Sequence, residues 1–144
     1  MDKEQLLPLM SEDTRQYADR VLDVFDAPMA QHMGITIESI SKEEVVCTMD
    51  IQPFMINSMG RVHGGAIYVL MDHTFAILSN MMNDGTGQSM EVKYYRPATS
   101  RLRCVVHPIN LSRSLGIYEA RVYSEEGKLI ASSTCTGFVI RRSE

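Results

Sequence analysis

An aspartate lies inside the most apolar stretch of the chain. Asp72 belongs to the segment 66–82, whose apolar residues occupy nearly every side of a helical wheel. A carboxylate is costly to remove from water unless partners compensate, and partial desolvation makes it a better base by raising its pKa. Asp72 is therefore a candidate general base or nucleophile. Alternatively, it lies on a solvent-exposed strip with His73 and Thr74, or makes a structural hydrogen bond.

Two glycines mark the entrance of this helix. Gly64 and Gly65 directly follow His63. The first turn of a helix carries unpaired N–H groups and the positive end of the helix dipole, and glycine lets a ligand approach them. An anion or a polarised carbonyl could bind there, although the glycines could simply permit a tight turn into the helix. Taken alone, His63 is more typical of a capping or hydrogen-bonded histidine than of a catalyst.

Gly64 and Asp72 are too far apart to act easily on one atom from the same chain. They are eight positions apart, which corresponds to roughly 12 Å of helical rise. The pair would have to come from two subunits that meet at a shared cleft. Asn57 precedes His63 by six positions, and an isolated asparagine in such a loop is usually a turn residue.

The elements that must hold these residues follow from the apolar periodicity. Residues 3–30 predict one or two amphipathic helices, and residues 53–65 a loop before the apolar helix. We interpret residues 83–87, including Gly85-x-Gly87, as the turn that ends that helix. Strands are predicted at about 35–40, 45–51, 88–95, 102–110, 115–124 and 129–140. The pattern predicts a single α+β domain over residues 1–144, with residues 1–30 as a helical extension and six antiparallel strands wrapped around one apolar helix.

Composition narrows the functional classes. The chain has 144 residues, 44% hydrophobic and 22% charged, with a formal net charge of −4. This balance gives no general attraction to nucleic acid or to an anionic membrane, so neither partner is expected. Three widely spaced cysteines and no histidine pair at metal-ligand spacing predict no disulfide framework, no metal site and no cofactor. The acidic N-terminus does not resemble a signal peptide, and we expect a cytoplasmic protein.

Asn57-x-x-Gly60-x-x-His63-Gly64-Gly65, followed by Asp72, resembles the signature of hotdog-fold acyl-CoA thioesterases of the phenylacetate-degradation (PaaI-like) type. The resemblance spans roughly Ala27 to Arg142 and includes the stretch 95–98 and the turn 112–114. The combined spacing is specific, whereas His-Gly-Gly alone is not.

The resemblance implies a six-stranded antiparallel sheet wrapped around the buried helix, with two subunits joining their sheets and sharing active sites. A homodimer is the minimum and a homotetramer, a dimer of dimers, the family expectation. The Gly64 N–H would polarise the thioester carbonyl, with Gly65 beside the substrate, and Asp72 of the other subunit would act as general base or nucleophile. Asn57 would orient the thioester or the attacking water, and His63 would chiefly shape the loop.

The resemblance also indicates water-holding and nucleotide-binding residues. Many relatives hold the water with Ser or Thr early in the strand after the helix, but the matching position here is Gly87, so Thr86 or Ser89 would have to substitute. Coenzyme A carries phosphates, and Arg96 and Arg113 lie near turns that usually face the nucleotide. The other candidates are Arg101, Arg103 and Arg142, and each of these arginines could instead be an ordinary solvated surface residue.

Two alternatives stay open at this point. The first is a non-catalytic acyl-CoA-binding regulatory module of the same fold. The second is a hotdog dehydratase or hydratase, although the Asp-x-Asn-Pro-x-His pattern of those enzymes does not occur here. The sequence does not indicate which acyl group is bound, or whether the donor is acyl-CoA or an acyl carrier protein.

Overall fold

The computed structural model describes residues 1–140 of the chain. Helices dominate the first 33 residues, and strands with one long helix make up the remainder. The α-helices are α1 (Lys3–Leu6), α2 (Ala18–Phe25), α3 (Pro28–Met33) and α4 (Gly64–Met81). Short 3-10 helices lie at Leu7–Leu9, Glu12–Tyr17 and Pro53–Met55. The strands are β1 (Ile35–Ile40), β2 (Val45–Met49), β3 (Asp84–Tyr94), β4 (Leu102–Leu111), β5 (Leu115–Tyr123) and β6 (Leu129–Ile140).

All six strands form one antiparallel sheet in the order β1-β2-β4-β5-β6-β3. β1 and β2 form a hairpin, and its turn is closed by a 2.8 Å hydrogen bond from Ser41 N–H to the Glu44 carbonyl. β1 and β3 are the two edges of the sheet. The predicted α+β class with six antiparallel strands is confirmed.

The α4 helix occupies the centre because its apolar residues face protein on most sides. Leu70, Met71 and Ile77 are fully buried. The helix packs against the sheet and also contacts α2 and α3 of the N-terminal part. A helix that is apolar all round requires this kind of enclosure.

An arginine from α2 ties the end of α4 to the start of β3. The Arg20 guanidinium donates hydrogen bonds to the carbonyls of Asn80 (2.9 Å) and Met81 (3.1 Å), and to the Asp84 carboxylate (2.6 Å). A cation there complements the negative end of the helix dipole and satisfies unpaired carbonyls. The N-terminal part therefore helps to fix the helix and the edge strand that carry the candidate site.

The prediction of a turn at residues 83–87 was wrong. β3 already begins at Asp84, so Gly85 and Gly87 belong to a strand. A Cβ at Gly85 would lie 3.3 Å from the Phe138 carbonyl oxygen and 3.5 Å from that of Ser79. Here glycine permits backbones to approach closely rather than a chain reversal, and a glycine-rich pattern does not distinguish the two uses.

Candidate active site

The entrance of α4 has one backbone donor without an acceptor. His63 is the N-cap residue, and its Nδ1 accepts a 2.9 Å hydrogen bond from Gly65 N–H. The Gly64 N–H makes no hydrogen bond to any residue in the range 1–140. Because His63 already occupies the Gly65 amide, Gly64 offers the free donor at the positive end of the helix dipole.

Gly64 lines a cavity of about 390 Å³ on the surface of the chain. Asn57, Tyr94 and Arg96 are among the other residues that line it. The structure therefore brings the predicted residues Asn57, Gly64 and Arg96 together around one opening. An amide, a guanidinium and a free N–H together suit a ligand that carries a carbonyl and negative charge.

Asn57 holds its loop and keeps part of its side chain available. Its Oδ1 accepts hydrogen bonds from the N–H groups of Met59 (2.9 Å) and Arg61 (3.2 Å), as a turn residue does. Its Nδ2 has no hydrogen-bond partner within residues 1–140. The turn interpretation and the substrate-orienting interpretation are therefore compatible, since they use different atoms.

Tyr94 is a residue of this cavity that the sequence pattern did not indicate. Its hydroxyl donates a 3.0 Å hydrogen bond to the Gly64 carbonyl, and a Cβ at Gly64 would lie only 3.2 Å from the Tyr94 ring. Burial raises the pKa of the Tyr94 hydroxyl, which keeps it protonated as a donor. Its adjacency to the 95–98 stretch was the one available signal.

Asp72 lies on the exposed side of α4 in the single chain. It makes no hydrogen bond or ion pair with the described residues 1–140, and burial against the surrounding protein raises the pKa of its carboxyl. It lines a second, smaller cavity of about 150 Å³, together with Tyr68, Phe75 and residues 87–90. Asp72 is thus partly desolvated, yet it is open to solvent on the side that no residue in the range 1–140 covers.

The free amide and the carboxylate do not meet within one chain. The residues that line the Gly64 cavity and those that line the Asp72 cavity form two separate sets. Both residues lie on α4, so their separation follows from the helical rise. A reaction that needs both groups requires a second copy of the chain.

The two candidates for holding water differ in position. Ser89 lines the Asp72 cavity, and its hydroxyl forms a 2.7 Å hydrogen bond with that of Thr136. Thr86 does not belong to that lining. Gln88 lines the same cavity and its Oε1 accepts a 3.0 Å hydrogen bond from Thr136. Ser89 and Gln88 are therefore better placed than Thr86 to contact a water beside Asp72.

The arginine candidates separate into distinct environments. Arg96 lines the Gly64 cavity and donates to the Leu129 carbonyl at 3.1 Å. Arg113 lies in the exposed turn between β4 and β5. Arg101 and Arg103 are engaged in ion pairs with Asp50 (3.0 Å) and Glu38 (2.9 Å) respectively, which argues against a nucleotide role for them. Arg142 lies outside the described residues.

Within residues 1–140, no three or more His, Cys, Asp or Glu side chains cluster in a way that could hold a metal ion. In the same part of the chain, every helix is too short or too polar to cross a membrane.

The sequence pattern of the thioesterase superfamily matches residues 59–131, a stretch that contains His63, Gly64, Asp72 and Ser89. The chain belongs to the thioesterase superfamily. It is a thioester hydrolase with the hotdog fold, as the sequence resemblance predicted.

Individual relatives agree with this membership. A Deinococcus radiodurans protein whose name describes it as a candidate esterase is 30% identical over 105 residues, covering 71% of this chain and 72% of that protein. The acyl-coenzyme A thioesterase PaaI of Escherichia coli is 25% identical over 105 residues, covering 71% of this chain and 75% of the relative. A mutant of the phenylacetic acid degradation protein PaaI from Thermus thermophilus has a solved structure with 30% identity and a TM-score of 0.75, covering 78% of this chain and 99% of that chain.

Proposed function

We propose that this enzyme hydrolyses acyl-CoA thioesters in a cleft between two subunits. The Gly64 N–H of one subunit polarises the thioester carbonyl, and Asp72 of the other subunit activates the attacking water or attacks directly. The observation that carries the proposal is that a helix N-terminal amide and a carboxylate, both without a hydrogen-bond partner among residues 1–140, line separate open cavities of the same chain. The E. coli relative named as an acyl-coenzyme A thioesterase supports the choice of thioester.

The chemistry suits the groups that are present. Attack on a thioester places negative charge on the carbonyl oxygen, so a fixed N–H donor stabilises the transition state more than the ground state. Water must lose a proton as it attacks, and the raised pKa of Asp72 makes it a stronger base than an ordinary carboxylate. Activity should accordingly fall as the pH drops through that raised pKa, because the protonated carboxyl cannot accept a proton.

The second subunit binds along the β3 edge of the sheet. β3 is 11 residues long and pairs only with β6, which leaves one side of its backbone without a strand neighbour among residues 1–140. A long open edge of this kind is a template for pairing with another strand. Antiparallel pairing of two β3 strands about a two-fold axis satisfies both edges and joins the two sheets.

Charge selects the register of that pairing. Glu91 and Lys93 are exposed and lie on the same face of β3. A two-fold axis at Val92 places Glu91 opposite Lys93 of the partner subunit, and the symmetry repeats this pair. An axis at Glu91 would instead place two carboxylates opposite each other, which is destabilising.

The same register joins the two cavities. With the axis at Val92, Met90 stands opposite Tyr94 of the partner subunit. Met90 lines the Asp72 cavity and Tyr94 lines the Gly64 cavity. Complementary charge and the union of the cavities therefore favour one arrangement, in which each cleft combines Asp72 and Ser89 of one chain with Gly64, Asn57 and Arg96 of the other.

A thiol-release assay tests the proposal. The parental protein should release CoA from at least one member of a panel of short, long, aromatic and hydroxylated acyl-CoAs. Asp72→Asn should lower kcat by a factor on the order of 10² or more, as loss of a general base often does. Asp23→Asn, an exposed aspartate on α2, is the matched control and should leave the rate unchanged. Release at the parental rate by the Asp72 variant would refute the assignment, and tight acyl-CoA binding without release would refute hydrolysis of these substrates.

A further inference from the structure

Three glycines stand side by side across three neighbouring strands. Gly87 of β3 pairs with Gly137 of β6, and Gly137 pairs with Gly116 of β5. A row of glycines leaves a stretch of sheet with no side chains, so other groups can lie directly on its backbone. This glycine row faces the space between the sheet and α4, because the nearest groups to it include the ring of Phe75.

Two aromatic side chains fill the space over the glycine row. A Cβ at Gly137 would lie 3.2 Å from the Phe75 ring, and one at Gly116 would lie 2.7 Å from the ring of Tyr118. The two rings contact each other edge to face, with centroids 5.1 Å apart. Phe75 is 3% exposed and Tyr118 8% exposed. A larger residue at Gly116 or Gly137 would displace these rings, so these two glycines and the aromatic pair form one unit.

The aromatic pair separates two cavities. Phe75 and Gly87 line the Asp72 cavity of about 150 Å³. Tyr118 and Gly116 line a different cavity, of about 80 Å³. A path from the carboxylate into the protein therefore meets Phe75 first, then Tyr118, and then a small space beyond them.

We propose that Phe75 and Tyr118 form the closed end of the acyl pocket and limit the enzyme to acyl groups of roughly the size of a benzene ring. This inference rests on the proposed function, since it assumes that the acyl group lies beside Asp72. The Asp72 cavity has a volume of about 150 Å³, which is enough for a molecule the size of benzene and therefore for a short or single-ring acyl group. A longer chain has to displace Phe75 before it reaches the space behind Tyr118.

Substitutions at Phe75 and at Gly87 should shift the accepted acyl size in opposite directions. Phe75→Ala opens the path, so longer acyl groups become substrates, and Phe75→Ala combined with Tyr118→Ala joins the two cavities and extends the limit further. Gly87→Ala adds a methyl group to the wall of the Asp72 cavity. That Cβ lies 3.9 Å from Phe75 in ordinary contact and meets no other group within 4 Å, so the strand should tolerate it while the pocket becomes smaller.

The experiment measures kcat/KM for acetyl-, butanoyl-, hexanoyl-, octanoyl-, decanoyl- and benzoyl-CoA. The parental enzyme should lose activity sharply between hexanoyl and decanoyl. Phe75→Ala should raise the decanoyl-to-butanoyl ratio by at least roughly 10-fold, because even a single methylene in a hydrophobic pocket changes discrimination by about 10-fold to 200-fold. Gly87→Ala should lower the benzoyl-to-acetyl ratio.

Phe25→Ala is the matched control, because it removes a buried ring of α2 that lies in neither cavity lining. Its chain-length profile should equal the parental one. If Phe75→Ala does not fold, Phe75→Leu replaces the ring with a shorter side chain and loses less packing. This variant should shift the chain-length profile in the same direction.

The inference is overturned if the parental enzyme hydrolyses decanoyl-CoA as well as butanoyl-CoA, or if folded Phe75 variants keep the parental profile. Either result, obtained with an enzyme whose activity depends on Asp72, leaves the proposed function intact. If the parental protein releases CoA from none of these thioesters, the proposed function itself fails, and the inference fails with it.

Discussion

Replacing His73 by leucine should make the free energy of unfolding less sensitive to acidic pH. His73 lies on α4 next to Asp72, is 7% exposed, and its Nε2 has no hydrogen-bond partner within residues 1–140. Burial disfavours the charged imidazolium and lowers the pKa of His73 from 6.5 to about 4. The unfolded chain therefore binds a proton at this residue in a pH range where the folded chain does not.

The sign and size of the effect follow from proton linkage. Because the pKa is lower in the folded state, the His73 contribution to stability is fully present above about pH 6.5 and is lost as the pH falls toward 4. Each pKa unit corresponds to about 1.4 kcal/mol, so the loss should reach about 3 kcal/mol near pH 4. With leucine at position 73 this loss should disappear.

Urea unfolding, followed by circular dichroism at several pH values from 7.5 to 4, measures this difference. Protein concentration must be held constant, because subunit association also stabilises the fold. His32→Leu is the matched control, since His32 is exposed and should leave the acid response unchanged. If His73→Leu loses stability in parallel with the parental protein, then burial of a neutral His73 does not cause the acid sensitivity.

Further substitutions test the site and the subunit contact. Arg113→Ala should raise the Michaelis constant for acyl-CoA several-fold and change kcat less, because a phosphate contact acts mainly on binding; an unaltered constant would remove Arg113 from the nucleotide site. Tyr94→Phe should lose about 1 kcal/mol of stability with its hydrogen bond to the Gly64 carbonyl and should lower kcat, whereas a parental kcat would show that the phenol does not support the oxyanion site. Val92→Cys should form an intersubunit disulfide on mild oxidation, visible on a non-reducing gel, because residue 92 faces its own copy across the proposed axis; Gln88→Cys should not, and the reverse pattern would exclude this register.

Much of the fold was predictable because apolar periodicity changes sharply along the chain. The period of two in β1 and β2 indicates strands, and the long segment of α4 that is apolar on all sides indicates a buried helix. The start of β3 was not predictable, since Gly85 and Gly87 resemble a turn in the sequence. Their real use depends on the Phe138 carbonyl and the Phe75 ring, which are distant in the chain.

The site was partly predictable for a similar reason. The spacing of Gly64 and Asp72 along a helix already implied two separate places. That His63 occupies the Gly65 amide and leaves Gly64 free could not be read from the sequence, because it depends on a side-chain torsion. Tyr94 was missed because its contact with Gly64 joins residues 30 positions apart.

Subunit complementation tests the central claim most directly. Gly64→Pro removes the free N–H at the first helical position, where the backbone accepts proline, although its Cβ, 3.2 Å from the Tyr94 ring, requires that ring to shift by a few tenths of an ångström. Asp72→Asn removes the base. Each homodimer should be nearly inactive. The two variants, co-expressed with different tags, should form mixed dimers in which one cleft combines an intact Gly64 with an intact Asp72 and the other cleft has neither.

With random pairing, the co-expressed sample should recover about a quarter of the parental activity per subunit, because half of the dimers are mixed and each has one intact cleft. Purified mixed dimers should show about half of the parental activity. Mixed dimers no more active than the two homodimers would contradict a cleft that takes Gly64 from one chain and Asp72 from the other.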